Sequence, residues 1–167
     1  IKKIVKKAHE HGVIVITDGA QGISHETVDV QDLDTDFYVF SGHKLYGPTG
    51  VGVLYGKAEL LKEMPPYHGG GEMINIVKPE STTYADLPFK FEAGTPAIAD
   101  VIGLGYSIDY INSIGIKEIK KYEDSLYQKA KSEIEKIEGI RIIGQAPNKA
   151  AILSFVFDDI EAFDIGT

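Results

Sequence analysis

The chain has 167 residues, 17 of them Lys or Arg and 25 Asp or Glu, giving a formal net charge of −8, and 43% of its residues are hydrophobic. That balance suits a globular domain and argues against a nucleic-acid backbone as partner. The absence of cysteine excludes disulfides and thiolate metal sites within these residues. The longest apolar runs, Val13–Ile16 and Phe37–Phe40, are too short to span a bilayer, and no signal-peptide pattern opens the chain. The expected setting is the cytoplasm, away from membranes. With no initiating methionine, and an end at Phe163-Asp164-Ile165-Gly166-Thr167 that reads as the entry to a further element, the sequence reads as an internal fragment.

Ile1, Ile4, Val5 and Ala8 follow the i, i+3, i+4, i+7 spacing of a helix, with Gly12 as its expected C-cap. The β-branched run Val13-Ile14-Val15-Ile16-Thr17 predicts a strand covered on both faces, ending at Asp18-Gly19-Ala20-Gln21-Gly22. Phe37–Phe40 predicts a second strand and Gly50–Tyr55 a third, while Lys57–Met64 reads as a short helix stopped by Pro65-Pro66. Residues 65–95, with Gly69-Gly70-Gly71, Pro79 and Pro88, are expected to be irregular and functional or interfacial. Helices follow at about 97–113 and 117–138, the second with Ile119, Tyr122, Leu126, Ala130, Ile134 and Ile137 on one face. Strands are expected at 141–143 and 151–157. Short buried strands alternating with helices define an α/β sheet, and the late helix-strand-strand run reads as a second, α+β, domain. The boundary falls near Lys117, dividing 1–116 from 117–167.

Ligands of an open α/β sheet bind beyond the carboxyl ends of its strands. Asp18 and Lys44 both follow predicted strands, so parallel strands would bring them to one rim. A lysine at a strand end loses hydration, which favours its neutral, nucleophilic amine. Such an amine can form a Schiff base with a carbonyl ligand such as pyridoxal phosphate. An acid at Asp18 could pair with the protonated pyridine nitrogen, and Gln21 could bond the ring's phenolic oxygen. Ser41 and His43, flanking Lys44, could donate to a phosphate.

The motifs Thr17-Asp18-Gly19-Ala20-Gln21, Val28-Asp29-Val30-Gln31 and Asp36–Gly50 closely resemble the class V aminotransferase group of pyridoxal-phosphate enzymes. Within it they look most like the Suf-type (group II) cysteine desulfurases. Further matching stretches are Glu63-Met64-Pro65-Pro66, Gly69–Ile74, Phe91-Glu92-Ala93-Gly94-Thr95-Pro96, Ile102-Gly103-Leu104-Gly105 and Phe163-Asp164-Ile165-Gly166, so the likeness covers essentially the whole chain. The resemblance implies part of the mixed, mostly parallel sheet of the aspartate-aminotransferase-like (type I) large domain, followed by the start of the small domain. It implies Lys44 as the Schiff-base lysine, Asp18 on the pyridine nitrogen, Gln21 on the ring hydroxyl, and Ser41 and His43 on the phosphate. It also implies Thr95 as a phosphate contact donated to the other subunit of a homodimer, with the Gly69–Met73 loop close to the partner's site. The implied reaction removes sulfur from L-cysteine, leaving alanine and an enzyme persulfide that a sulfur-acceptor protein would take towards iron–sulfur assembly. The family's nucleophilic cysteine and its substrate-gripping arginine are expected after residue 167, and its ring-stacking histidine before residue 1. The 167 residues alone are therefore expected to be inactive.

Plainer readings exist for each residue. A strand-end lysine can be a surface residue, Asp18 an ordinary turn aspartate and Thr95 a helix N-cap. His9 and His11 read as surface helix residues, with His25 and His68 unassigned and no zinc-type clustering. A nucleotide loop at Gly47, Gly50 and Gly52 is disfavoured, because Lys44 precedes the glycines and a strand follows them. Selenocysteine lyase, another class V enzyme and a non-catalytic scaffold subunit are the competing functions.

Overall fold

A computed structural model describes residues 1–166. Its elements run α1 (Lys2–His9), β1 (Ile16–Asp18), α2 (Val30–Leu33), β2 (Phe37–Ser41), β3 (Gly52–Gly56), α3 (Ala58–Glu63), β4 (Ile74–Lys78), β5 (Ser81–Tyr84), α4 (Ile98–Ile114), α5 (Ile116–Ile134), β6 (Ile140–Ile143), β7 (Ser154–Phe157) and α6 (Ala162–Gly166). Short 3₁₀ turns follow β2 at Gly42–Leu45 and precede α4 at Phe89–Phe91. The chain divides into two compact units. The first holds Ile1–Ser24 and Val28–Tyr110, the second His25–Thr27 and the chain from Ile111 onward.

The first unit is built on a three-stranded sheet in the order β1-β2-β3. β1 runs parallel to β2, pairing Ile16 with Phe37 and Asp18 with Val39; β3 runs antiparallel to β2, pairing Ser41 with Gly52. The mixed sheet agrees with the α/β expectation. Its buried apolar side chains include Val5 from α1, Phe37 and Tyr38 from β2, Leu45, Met73 and Leu104 from α4. Gly56 permits close approach at the end of β3, since a Cβ there would lie 2.9 Å from the Phe37 ring. The Thr17 and Thr35 hydroxyls meet at 2.7 Å in the interior, and Thr35 also donates to the Phe37 carbonyl at 2.9 Å, so neither buried hydroxyl lacks a partner.

Gly12 is not the C-cap of α1, which ends at His9 with Glu10 as its cap, and two expectations about the strands of this unit also need correction. The run from Val13 is not a strand buried on both faces: β1 begins only at Ile16, and Val13, Ile14 and Ile16 are 53%, 55% and 67% exposed. Among the described residues β1 is an edge strand, and the Val15 N–H goes to the Asp36 carboxylate at 2.7 Å instead of to a neighbouring strand. Residues 65–95 are not wholly irregular either. β4 and β5 form an antiparallel hairpin around Pro79-Glu80, with a register shift between Ile74 and Ile76. The β-branched content of Ile74–Val77 and Thr82-Thr83 drives pairing, while proline at the turn needs no N–H in the ladder.

In the second unit β6 and β7 pair antiparallel, from Ile140 with Phe157 to Ile143 with Ser154. Ile111 and Ile142 are buried. The predicted apolar face of α5 is only partly covered, with Tyr122 and Leu126 exposed. The 25–27 segment is tied to α5 by His25 Nδ1 to Glu123 at 2.8 Å and Lys120 to Glu26 at 2.6 Å. Among the described residues no helix is long and apolar enough to cross a membrane.

Candidate active site

The parallel pairing of β1 and β2 sends two turns out from neighbouring carboxyl ends. The first, Asp18–Gly22, begins with Asp18 accepting from the Ala20 N–H at 2.9 Å, a local aspartate turn. The Gly19 N–H donates to the Val39 carbonyl at 2.8 Å, carrying the sheet bonding one residue beyond β1. Gly22 and Ile23 close the turn by donating to the Gly19 carbonyl, both at 3.0 Å. Asp18 and Gln21 are exposed.

The second turn carries Lys44. Ser41 ends β2, and the next four residues coil into the 3₁₀ turn, which Tyr46 terminates at φ 57°. The Gly42 N–H donates to the Val51 carbonyl at 2.8 Å and the Gly47 N–H to the Gly42 carbonyl at 3.0 Å, which closes the loop back onto β3. Gly42 is required by crowding: a Cβ there would lie 2.7 Å from Val51 Cγ1 and 3.1 Å from the Val51 carbonyl oxygen. A Cβ on Gly47 would lie 2.9 Å from the Gly42 carbonyl oxygen and 3.1 Å from Leu104 Cδ1, so α4 packs directly on this loop. Ser41 and Lys44 are half-buried and His43 is exposed.

These five side chains therefore leave two adjacent strand ends on closed, glycine-dependent turns. Thr95 is placed differently. It lines a cavity of about 690 Å³ whose other walls include Glu72, Phe89, Ile98 and Ile102, and none of Asp18, Gln21, Ser41, His43 or Lys44 lines it. Thr95 is also not the N-cap of α4, which begins three residues later at Ile98.

A charge network at the entry to β2 was not foreseen from the sequence. Asp36, at the entry to β2, is met by His9 Nε2 at 2.8 Å and Lys57 Nζ at 2.9 Å as well as the Val15 N–H. Burial opposes its ionisation, but hydrogen bonds from Val15, His9 and Lys57 outweigh burial and hold the carboxyl at about 2. Asp34, in the left-handed region at φ 56°, reaches Lys57 at 2.8 Å and His9 Nδ1 at 3.3 Å. Hydrogen bonding to Lys57 lowers Asp34, and the bonds to Asp34 and Asp36 raise Lys57. His9 is thus half-buried between two carboxylates and not a free surface residue. The Asp-x-Asp spacing before a buried strand was the available signal.

The donor set fits a phosphorylated, cationic heteroaromatic carbonyl compound such as pyridoxal phosphate. It offers a reachable amine, a carboxylate for a ring N–H, and hydroxyl and imidazole donors beside the amine. The glycines at 42 and 47 keep the turn that carries those donors tight against β3 and α4.

A mixed sheet whose two parallel strands end in neighbouring turns that carry the candidate residues defines the class: an α/β protein. The class V aminotransferase family model matches residues 1–167, and the chain belongs to that family. A probable cysteine desulfurase of Vibrio cholerae is 50% identical over 167 residues, covering 100% of this chain and 41% of the relative. The crystal structure of an Escherichia coli cysteine desulfurase, in its S-sulfonic acid form, matches with TM-score 0.90 and 42% identity over 98% of this chain and 41% of that one. A C-DES mutant structure with glycine covalently linked to its PLP cofactor matches with TM-score 0.76 and 26% identity over 87% of this chain and 39% of that one. The chain thus spans about two fifths of the length of the relatives it matches.

Proposed function

We propose that the chain is the cofactor-anchoring part of a pyridoxal-phosphate-dependent cysteine desulfurase. The observation that carries this reading is the parallel register of β1 and β2, which sends Asp18 and the Lys44 turn out from neighbouring strand ends. The relatives at 42% and 50% identity support the choice of L-cysteine as substrate.

In this reading the Lys44 amine would hold the cofactor through its aldehyde carbon, and Lys44 is the group placed to move a proton beside it. The Asp18 carboxylate holds the proton on the pyridine nitrogen, and Gln21 bonds the phenolic oxygen. Ser41 and His43 donate to the phosphate, whose charge is costly to bury without such donors. Bound there, the cofactor supplies an electron sink for the bonds at the substrate's α-carbon. Residues 1–116 form part of the large cofactor domain, and 117–167 begin the small domain. Thr95 and the Gly69–Met73 loop serve the site of a second copy in a homodimer. The location of Thr95 in a separate cavity supports that assignment. The product sulfur passes to an acceptor protein in the cytoplasm for iron–sulfur assembly.

The test uses the chain extended to the full length of its relatives, loaded with pyridoxal phosphate, reduced with borohydride and mapped by peptide. The label is expected on Lys44; a label elsewhere, or none, overturns the assignment. L-cysteine should yield sulfide and alanine, with selenocysteine a poorer substrate, and Lys44→Ala should abolish turnover. Preference for selenocysteine would shift the substrate assignment.

A further inference from the structure

The buried phenol of Tyr38 is unused by the chemistry above, yet it lies directly under the turn that bears Asp18. Tyr38 is 3% exposed on β2 and pairs with Thr17 on β1. A Cβ built on Gly19 would fall 2.0 Å from Tyr38 Cζ, 2.1 Å from its hydroxyl oxygen and 2.2 Å from Cε1. No side chain fits there while the ring is in place. The same hydroxyl lies 3.9 Å from where a Cβ of Gly22 would stand, so the phenol extends under the turn from its second residue to its last. An edge-on contact with Phe40, 6.5 Å between centroids, braces the ring from its own strand. Burial, and then the charge of Asp18, push the Tyr38 hydroxyl up, so it stays neutral beside the carboxylate.

We propose that Tyr38 is a positioning residue: its ring, wedged beneath Gly19, sets the height of the Asp18–Gln21 turn relative to the strand that delivers Ser41, His43 and Lys44. The inference rests on the cofactor reading of those residues. β2 thereby does two jobs. It carries the amine at its end, and through a side chain six residues earlier it fixes the acid and amide that must meet the same ring. Gly19 and Tyr38 form one fitted pair, in which the missing Cβ of one is the space occupied by the other.

The test is a double-variant cycle in the full-length protein. Tyr38→Leu removes the ring, and Gly19→Ala adds the methyl that the ring excludes. Each alone should weaken pyridoxal phosphate retention about tenfold, the size typical of losing a residue that orients a ligand group. Each should also shift the pH midpoint of the bound cofactor's visible absorbance. Tyr38→Phe, which keeps the ring, should preserve both. The double variant should recover part of the affinity, because the added methyl enters the space that the ring left. In the protein stripped of cofactor, Tyr38→Leu should speed amide hydrogen exchange at 18–22, and Tyr38→Phe should not. Wild-type affinity and absorbance in Tyr38→Leu, or simple additivity in the double variant, overturns the proposal while leaving the Lys44 label intact. A wild-type protein that takes up no cofactor overturns the functional reading and this inference together.

Discussion

At the scale of single residues, Asp36 decides whether the sheet keeps its footing. Its carboxyl draws together α1 through His9, the approach to β1 through Val15 and the exit of β3 through Lys57. Its folded value of about 2 lies below the ordinary 3.8. A depressed carboxyl stabilises the fold at pH values above its unfolded value, and loses that contribution as pH falls through the folded one. Asp36→Asn should therefore lower stability by about 2 kcal/mol at neutral pH, the free-energy equivalent of the gap between the folded and ordinary values. Urea denaturation of the full-length wild type and variant should find that difference narrowing as pH drops from about 4 towards 2. A difference independent of pH would assign the effect to packing. Exposed pairs such as Lys7–Glu10 and Lys136–Glu133 should contribute far less, since solvent screens them.

At the scale of elements, capping explains a helix too short for periodicity to reveal. α2 spans only Val30–Leu33, yet Asp29 accepts from the N–H groups of Gln31 at 2.9 Å and Asp32 at 3.0 Å. Asp29→Ala should cost about 1 kcal/mol in the denaturation free energy of the full-length protein, whereas Asp29→Ser should restore most of it. Equal losses in both variants would count against the cap. Other elements could be read from residue order alone. The apolar run Phe37–Phe40 announced β2, the periodic apolar face of the later stretch announced α5, and α4 was expected to within a few residues of its bounds. The turn at Asp18 and the lysine turn after β2 were legible because glycine spacing and the strand ends are local signals. Three things were not. The open edge of β1 depends on which strand lies beside it. The β4–β5 hairpin was masked by its flanking glycines and prolines. The His9–Asp36–Lys57 network joins residues separated by 27 and 21 positions, a distance that no window along the sequence spans.

At the scale of the whole molecule, many large apolar side chains are exposed. On α4, Ile98, Val101, Ile102 and Tyr106 are 58%, 50%, 55% and 72% exposed, and they recur at helical spacing. Together with the bare edge residues Val13, Ile14 and Ile16, they present patches of a kind that single soluble domains rarely leave open. The 167-residue polypeptide in isolation should self-associate, with a sedimentation coefficient that rises with concentration. A monomer at every concentration tested would contradict this. The small excursion of His25–Thr27 into the second unit has a different bearing, on how such a protein could be recombined. A single crossover near residue 110 would exchange α5 and the late strands, but would strand His25 and Glu26 without the Glu123 and Lys120 they pair with. Any hybrid that swaps the second unit has to inherit three residues from an early loop, so the natural seams of the chain are three and not one.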